Sequence, residues 1–419
     1  MDGADTPNKV SSPPLTTDTG APDPRRPASY SRRILLAVTG LSPQIVTETL
    51  YALAARPAPG KDTFAPTEIV LISTQTGKRE AELNLLAERD GWFHRLLRDY
   101  QLPEIKFERD HILVLRDAKG EPLDDIRTPV ENEQAADFIT EQVRQLTEDT
   151  NSALHVSIAG GRKTMGYYLG YALSLYGRPQ DRLSHVLVSE PYEGHRDFFY
   201  PTPYEHKIHV QRGGSEGTWN ACDAKVDLAE IPFVRLRDGV PTRLLEGRAS
   251  FGDTVNAAQR ALEPPQLTID LKHRTINAAG ESISIEPADL ALYAVMARRR
   301  MNGQHAVNHR TEGLAEDYLA EYAAIVNPMS GDYERIEKTL RSDDISEWFE
   351  QRKSKTIKAI KDALGETLAR AYLIEAQGKR PNTRFGLTLE PPAIHFANKL
   401  AGCDGRHDMN DNRSEERMR

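Results

Sequence analysis

Twice in the first 165 residues an apolar run passes straight into a glycine-bearing turn and then into a segment with helical spacing. No other feature restricts the fold as much. Arg33–Thr39 (RILLAVT) reads as a buried strand and Pro43–Ala55 as a helix, with Ser42 available as a cap and Pro43 tolerated in a first turn. Ala153–Ile158 (ALHVSI) repeats the pattern, followed by the turn Ala159–Gly161 and the helix Lys163–Tyr176, which ends before Gly177. Between these two units Glu68–Ser73 is a strand followed by a helix over Arg79–Tyr100. Ile112–Leu115 is a strand leading by a long loop to a helix over Glu131–Thr147, and a further strand, Leu183–Ser189, comes after the second unit. Strands separated by helices of this length predict an α/β domain with a mostly parallel sheet. In such sheets ligands bind beyond the carboxyl ends of the strands.

The chain of 419 residues has room for two or three domains. Residues 1–31, rich in Pro, Ser, Thr and Asp with little to bury, read as a disordered tail, and so do the polar residues 400–419. The α/β domain then occupies 32–212 and a connector with one helix-compatible segment, Thr254–Leu262, occupies 213–265. A smaller α+β domain fills 266–399. In it Leu267–Leu271 and Arg274–Asn277 form a hairpin, and Pro287–Ala297 and Ile345–Leu364 are helices. Ala371–Glu375 and Arg384–Leu389 pair around the basic turn Gly378–Asn382. A helix carrying Lys353, Lys355, Lys358 and Lys361 followed by such a pair outlines a winged helix, with DNA as a possible partner; the plainer reading is a packing module with a solvated lysine face.

A net charge of −8 argues against coating of nucleic acid, so any such contact is local. Two cysteines, Cys222 and Cys403, form neither a disulfide framework nor a zinc pattern, which fits a reducing cytoplasm. No apolar run reaches signal-peptide or membrane-spanning length, and no membrane is expected as a partner.

Ser157–Thr164 (SIAGGRKT) lies between a strand and a helix N-terminus, where free amides and the helix dipole favour an anion. Gly160 and Gly161 allow close backbone approach, and Arg162 and Lys163 add charge suited to phosphate. Neither the Walker A spacing nor G-x-G-x-x-G is present. The first turn, Thr39–Gln44 (TGLSPQ), also follows a strand and opens a helix, so Thr39, Ser42 and Gln44 face the same sheet edge; alone, Ser42 is better read as a cap. The loop Asp124–Thr128 supplies Arg127 as a third candidate, against the plainer reading of a surface ion pair, and Thr74, Thr76 and Lys78 rank lower. His206 and His209 lack a third ligand and are read as structural, so neither a metal site nor a cofactor is expected.

These residues resemble a family, the CRISPR-associated Rossmann-fold (CARF) proteins of type III systems, which sense cyclic oligoadenylates. The likeness rests on TGLSPQIVTETLYAL at Thr39–Leu53, RTPVENEQAADFI at Arg127–Ile139, the run from Leu154 to Glu193, and FFYPTP at Phe198–Pro203. It covers about residues 31 to 215 and looks most like the ring-nuclease branch, which pairs a Rossmann-like domain with a winged helix. The resemblance implies a homodimer with a cyclic oligoadenylate, cyclic tetra-adenylate above all, lying across the two-fold axis. Carried over by position, Lys163 is the lysine of the family's Gly-Gly-x-Lys turn and Ser42 its small polar residue in the first turn. Those two are the expected catalytic residues, with Thr39, Gly40, Gln44, Arg127, Gly160, Gly161, Arg162 and Thr164 as ligand contacts. Cleavage would be metal-independent, by in-line attack of a ribose 2′-hydroxyl. Two alternatives stand beside it: a sensor that regulates DNA binding by the winged helix, and a ligand-activated HEPN-type ribonuclease, for which Arg300–His305 has the required spacing.

Overall fold

Six consecutive residues of the first strand, β1 (Arg32–Thr39), are buried, from Ile34 to Thr39. A strand with no solvent-facing side belongs in the middle of a parallel sheet covered on both faces. A computed structural model describes residues 22–397 apart from 89, 213, 214, 248, 343, 380 and 381 and the side chains of 210–212, 215 and 216. The two tails expected to be disordered therefore lie outside the described residues, except for 22–31, where Pro27–Ser29 form a 3-10 turn. The described residues fall into two units, one within Met1–Arg237 and Leu245–Val255, the other within Asp238–Leu244 and Asn256–Arg419.

In the first unit β1 leads to the helix α1 (Gln44–Leu50), which continues as a π-helical turn over Tyr51–Ala55. Then come β2 (Glu68–Ser73), α2 (Gln75–Leu85), α3 (Trp92–Asp99), β3 (Ile112–Val114), α4 (Pro129–Leu146), β4 (Ser152–Ser157), α5 (Lys163–Tyr176) and β5 (Arg182–Val188). A hairpin of β6 (Lys207–Arg212) and β7 (Ser215–Asn220) precedes β8 (Val226–Glu230). The sheet order is β3-β2-β1-β4-β5-β8, parallel except for β8, which runs antiparallel to β5. The expected mostly parallel α/β architecture is therefore present. Within residues 213–265, read as a connector, β8 forms one edge of this sheet and Gly213 and Gly214 lie outside the described residues.

The segment 79–100, expected as one helix, is two, because the chain breaks at Gly91, the N-cap of α3. A Cβ there would sit 2.2 Å from the Leu85 carbonyl oxygen, a clash that an uninterrupted apolar period does not reveal. The α5–β5 connection is held by a buried pair, with Arg178 donating to both oxygens of Asp181 and Asp181 also accepting the Leu154 amide at 3.0 Å. A capping box starts α4: Thr128 accepts the Glu131 amide at 3.2 Å and Glu131 accepts the Thr128 amide at 2.8 Å.

The helices α6 (Thr242–Glu246) and α7 (Phe251–Arg260) come next in the chain. In the second unit β9 (Leu267–Asp270), β10 (Thr275–Ala278) and β11 (Glu281–Ser284) form a meander. Its helices are α8 (Pro287–Met301), α9 (Leu314–Ile325), α10 (Gly331–Leu340) and α11 (Ser346–Ala369), the last broken at Gly365, where φ is 76°. The helix α8 is buried on every side from Leu290 to Ala297, the mark of a central core helix. The expected hairpin is present as β12 (Glu375–Gln377) paired antiparallel with β13 (Arg384–Gly386), shorter and shifted from its sequence-predicted bounds. Two residues of its turn, Arg380 and Pro381, lie outside the described residues. The last strand, β14 (Ile394–Phe396), adds parallel to β9.

Candidate functional site

Because β1 has β2 on one side and β4 on the other, the chain leaves it in one direction and later returns on the opposite side. The β1/β4 boundary is thus the topological switch point, where the connections diverge and open a crevice at the carboxyl ends of the strands. Two turns meet there. A Cβ on Gly40, in the turn after β1, would lie 3.8 Å from the Cα of Gly161, in the turn after β4. Gly160 is packed so that a Cβ would stand 2.7 Å from the Val38 carbonyl oxygen and 2.9 Å from Ile45 Cγ1, and Gly161 adopts φ 76°, a left-handed conformation natural to glycine.

A cavity of about 430 Å³ occupies this crevice, with Gly40, Leu41, Gly161, Arg162, Arg127 and Asp125 in its wall. Thr74 and Thr76, from the start of α2, line it too. The α5 helix begins at its edge with Lys163, and no side chain caps that end; the Met165 amide turns back to the Arg162 carbonyl at 2.9 Å, which leaves the amides of Lys163 and Thr164 to an incoming acceptor. Lys163 is exposed and forms no ion pair or hydrogen bond among the described residues. The two arginines differ. Arg162 Nε donates to Asp125 Oδ1 at 2.8 Å and a terminal nitrogen of Arg162 donates to the other oxygen, where Arg127 Nε also donates at 3.2 Å. The Arg162 guanidinium, ahead of the Ile126 amide and Arg127, holds the Asp125 carboxyl well below the usual carboxylate range.

The remaining residues of the expected set are placed as follows. Thr39 is fully buried and its hydroxyl donates to the Ser42 carbonyl at 2.8 Å, so it shapes the turn from beneath. Ser42 is exposed just before α1; the helix has Pro43 at its N-cap position and no side-chain cap, so the Ser42 hydroxyl is not used there. Thr164 is exposed in the first turn of α5. Gln44 faces the opposite way, into a neighbouring cavity of about 760 Å³ that also contains Trp92, Arg196 and His209. Its Nε2 donates to the Arg196 carbonyl at 2.9 Å and its Oε1 is buried without a partner among the described residues. Asp125 is the site residue that sequence reasoning passed over in favour of Arg127. Its adjacent acidic neighbour Asp124 and the following arginine were the available signal, but the partner lies 37 residues on.

The family model described as CRISPR-associated protein NE0113 matches residues 42–264, more than half of the chain and all of the second turn. The chain belongs to this CRISPR-associated family. Among solved structures this NE0113-family chain is similar to Csm6 of Enterococcus italicus bound to cyclic hexa-2′-fluoro-hexa-dAMP, at 11% identity and TM-score 0.23, over 74% of this chain and 52% of that one. It is also similar to protein VC1899 from Vibrio cholerae, at 10% identity and TM-score 0.20, over 85% and 75% of the two chains. It thus spans about half the length of that Csm6. No curated protein matches.

Elsewhere in this NE0113-family protein, His206 and His209 both line the cavity beside Gln44, His206 packing edge-on against Trp92 and the His209 carbonyl accepting from His195. Among the described residues no three His, Cys, Asp or Glu side chains are grouped to hold a metal, and no helix is long and apolar enough to cross a membrane. In the second unit Arg300 donates to the Leu389 carbonyl at 2.7 Å and the Thr388 carbonyl at 3.3 Å, while His305 is exposed and offers its carbonyl to Arg299. Of the four lysines of α11, Lys353 pairs with Glu350 and Lys361 with Glu366, whereas Lys355 and Lys358 are exposed without an ion pair among the described residues.

Proposed function

We propose that this protein is a type III CRISPR accessory protein of the cytoplasm that binds a cyclic oligoadenylate, most naturally cyclic tetra-adenylate, at the β1/β4 crevice and opens the ring without a metal. The observation that carries the reading is the exposed, unpaired Lys163 at the uncapped start of α5, beside two glycine turns in contact, in a member of a CRISPR-associated family. A phosphodiester fits such a place because an ammonium and a fan of amides stabilise charge on its non-bridging oxygens. The ring's ribose 2′-hydroxyl attacks the adjacent phosphorus in line; the 5′-oxygen leaves and takes up a proton, giving a 2′,3′-cyclic phosphate and a 5′-hydroxyl. Lys163 is the group facing that developing charge, and the Ser42 hydroxyl orients ribose or phosphate. With no histidine pair to move protons, turnover is slow.

Such a ligand has its own symmetry, and an isologous dimer matches it. Leu41, Val130 and Tyr167 are 68%, 60% and 61% exposed, and they belong to the crevice turn, the first turn of α4 and the second turn of α5. We assign this apolar set to the contact with a second copy of the chain. Incubation with cyclic tetra- and hexa-adenylate in EDTA tests the reading. Linear products from the wild type, lost in Lys163→Ala and reduced in Ser42→Ala, support it; a ligand that binds and survives removes the cleavage step.

The free pair Lys355 and Lys358 on α11, before the β12–β13 hairpin, favours a second reading in which the second unit is a winged helix whose DNA contact responds to the bound ring. Survival of the ligand together with a shifted promoter fragment would select it. For a HEPN-type ribonuclease the position of Arg300, tied to two carbonyls, is unfavourable.

A further inference from the structure

A second cavity of the first unit, about 510 Å³, lies at the other end of the same sheet. Its wall takes residues from before β1 (Arg25), before β2 (Lys61 and Asp62), from the first position of β5 (Arg182) and from the last of the antiparallel β8 (Glu230). All of these are at the amino-terminal edge, so this space is remote from the crevice turns. Its size is that of a small-molecule site.

Leu53, Phe64 and Leu228 give it apolar wall, and the ring of His155 joins them, its centroid 5.3 Å from that of Phe64. His155 is 97% buried, with Nε2 2.8 Å from the Ser184 hydroxyl. Burial, and then the nearby Arg182 charge, pushes its pKa down to about 3, so the imidazole is neutral at ordinary pH and behaves as a flat, weakly polar surface.

The charges around the cavity do not cancel. Glu230 is paired with Lys61 at 3.1 Å and Asp62 with Arg26 at 3.1 Å. Arg182 has no carboxylate partner among the described residues; its terminal nitrogens donate to the carbonyls of Pro179 at 2.8 Å, Asp181 at 3.0 Å, Pro24 at 3.2 Å and Arg25 at 3.4 Å. The Arg25 side chain is exposed with no partner among the described residues. Two arginines thus line a half-enclosed space with Phe64 and His155 in its wall, and among the described residues its two carboxylates, Asp62 and Glu230, are already paired; planar anions suit that combination.

We propose that this cavity is a second ligand site, one that takes a planar aromatic or heteroaromatic molecule bearing a single phosphate or carboxylate. Nucleoside monophosphates and aromatic acids share that chemistry. The Phe64 and His155 rings and Leu53 contact the flat part, Arg25 donates to the anion, and Arg182 adds its positive charge.

Calorimetric titration of the full chain with adenosine 5′-monophosphate, 2-naphthoate, adenosine and inorganic phosphate tests it. Adenosine 5′-monophosphate or 2-naphthoate binds, whichever is tighter telling nucleotide from aromatic acid, while adenosine and phosphate bind about tenfold more weakly or not at all. Arg25→Glu and the space-filling Ala58→Trp, both at exposed positions of the wall, each abolish that binding, and Lys163→Ala leaves it unchanged. Absence of binding by both aromatic anions overturns the proposal. So does adenosine or phosphate binding as tightly as they do, or binding that survives both Arg25→Glu and Ala58→Trp.

Discussion

Arg162 and Asp125 form a two-pronged ion pair across the mouth of the crevice, Nε to Oδ1 at 2.8 Å, with Arg127 on the second carboxylate oxygen at 3.2 Å. Without ligand, then, both arginines nearest the Gly160–Gly161 turn are occupied by one carboxylate, and of the three cations Lys163 alone has no partner among the described residues. An arriving phosphate must compete with Asp125 for them. Because the folded pKa of Asp125 is depressed, this pairing is fully present above the ordinary carboxylate range and is lost only in strong acid, so mild acidification does not release the arginines.

Replacement of that carboxylate by an amide is therefore expected to help the ligand. In Asp125→Asn, cyclic tetra-adenylate should bind about threefold to tenfold more tightly, the range set by one partly exposed pair. Titrations at two salt concentrations should also show a steeper loss of affinity with salt than the wild type, since two more cations face the ligand.

The glycine turn is constrained separately at each position. A Cβ at residue 160 meets the Val38 carbonyl at 2.7 Å, so Gly160→Ala must displace backbone and is expected to lower stability by about 1–3 kcal/mol, as overpacking does. Gly161→Ala forces an L residue into φ 76°, at a cost of about 1–2 kcal/mol. Chemical denaturation measures both. Titration with the cyclic ligand should show a larger binding defect for Gly161→Ala than its stability loss alone explains, because Gly161 lines the crevice.

What could be read from the sequence divides along a physical line. Strands β1 and β4 were legible because parallel strands buried on both faces must be nearly all apolar, and α5 because Gly177 stops it where a Cβ would meet the Leu173 carbonyl at 2.3 Å. In β8 (VDLAE) only Val226 is buried, which leaves no pattern to separate an edge strand from a connector. In α9 the line Leu314, Tyr318, Tyr322 is buried at four-residue spacing, so its signal is local and present. The turns were found as turns. That Gln44 faces away from the crevice, and that Asp125 spans 37 residues to hold Arg162, depend on tertiary placement that no local spacing encodes.

The exposed apolar set beside the crevice gives a prediction about assembly. Tyr167→Glu places a charge where a dimer would bury a tyrosine that is 61% exposed here, and its ring contacts among the described residues are Tyr168 and Tyr171 of the same helix. Light scattering should report a dimer for the wild type and a monomer for this variant, with the helical circular dichroism unchanged. A wild-type monomer at all concentrations would remove the dimer from the reading.

A last prediction concerns Glu48, one helical turn beyond Gln44 on α1. It is 6% exposed, its carboxyl has no hydrogen-bond partner among the described residues, and burial, reinforced by the charge of Glu193, raises its pKa to about 8. The folded chain therefore holds this proton more tightly than the unfolded chain, in which the carboxyl ionises near 4.5. Between those values the native state carries the extra proton, so this group's contribution is fully present below the unfolded pKa and declines as pH rises through about 8. Glu48→Gln keeps the shape and removes the titration. Its melting temperature should match the wild type below about pH 4.5 and exceed it increasingly as pH rises to about 8, with no further gain above that. If the two profiles run parallel over that range, the Glu48 side chain is ionised in the folded protein and a cation must reach it.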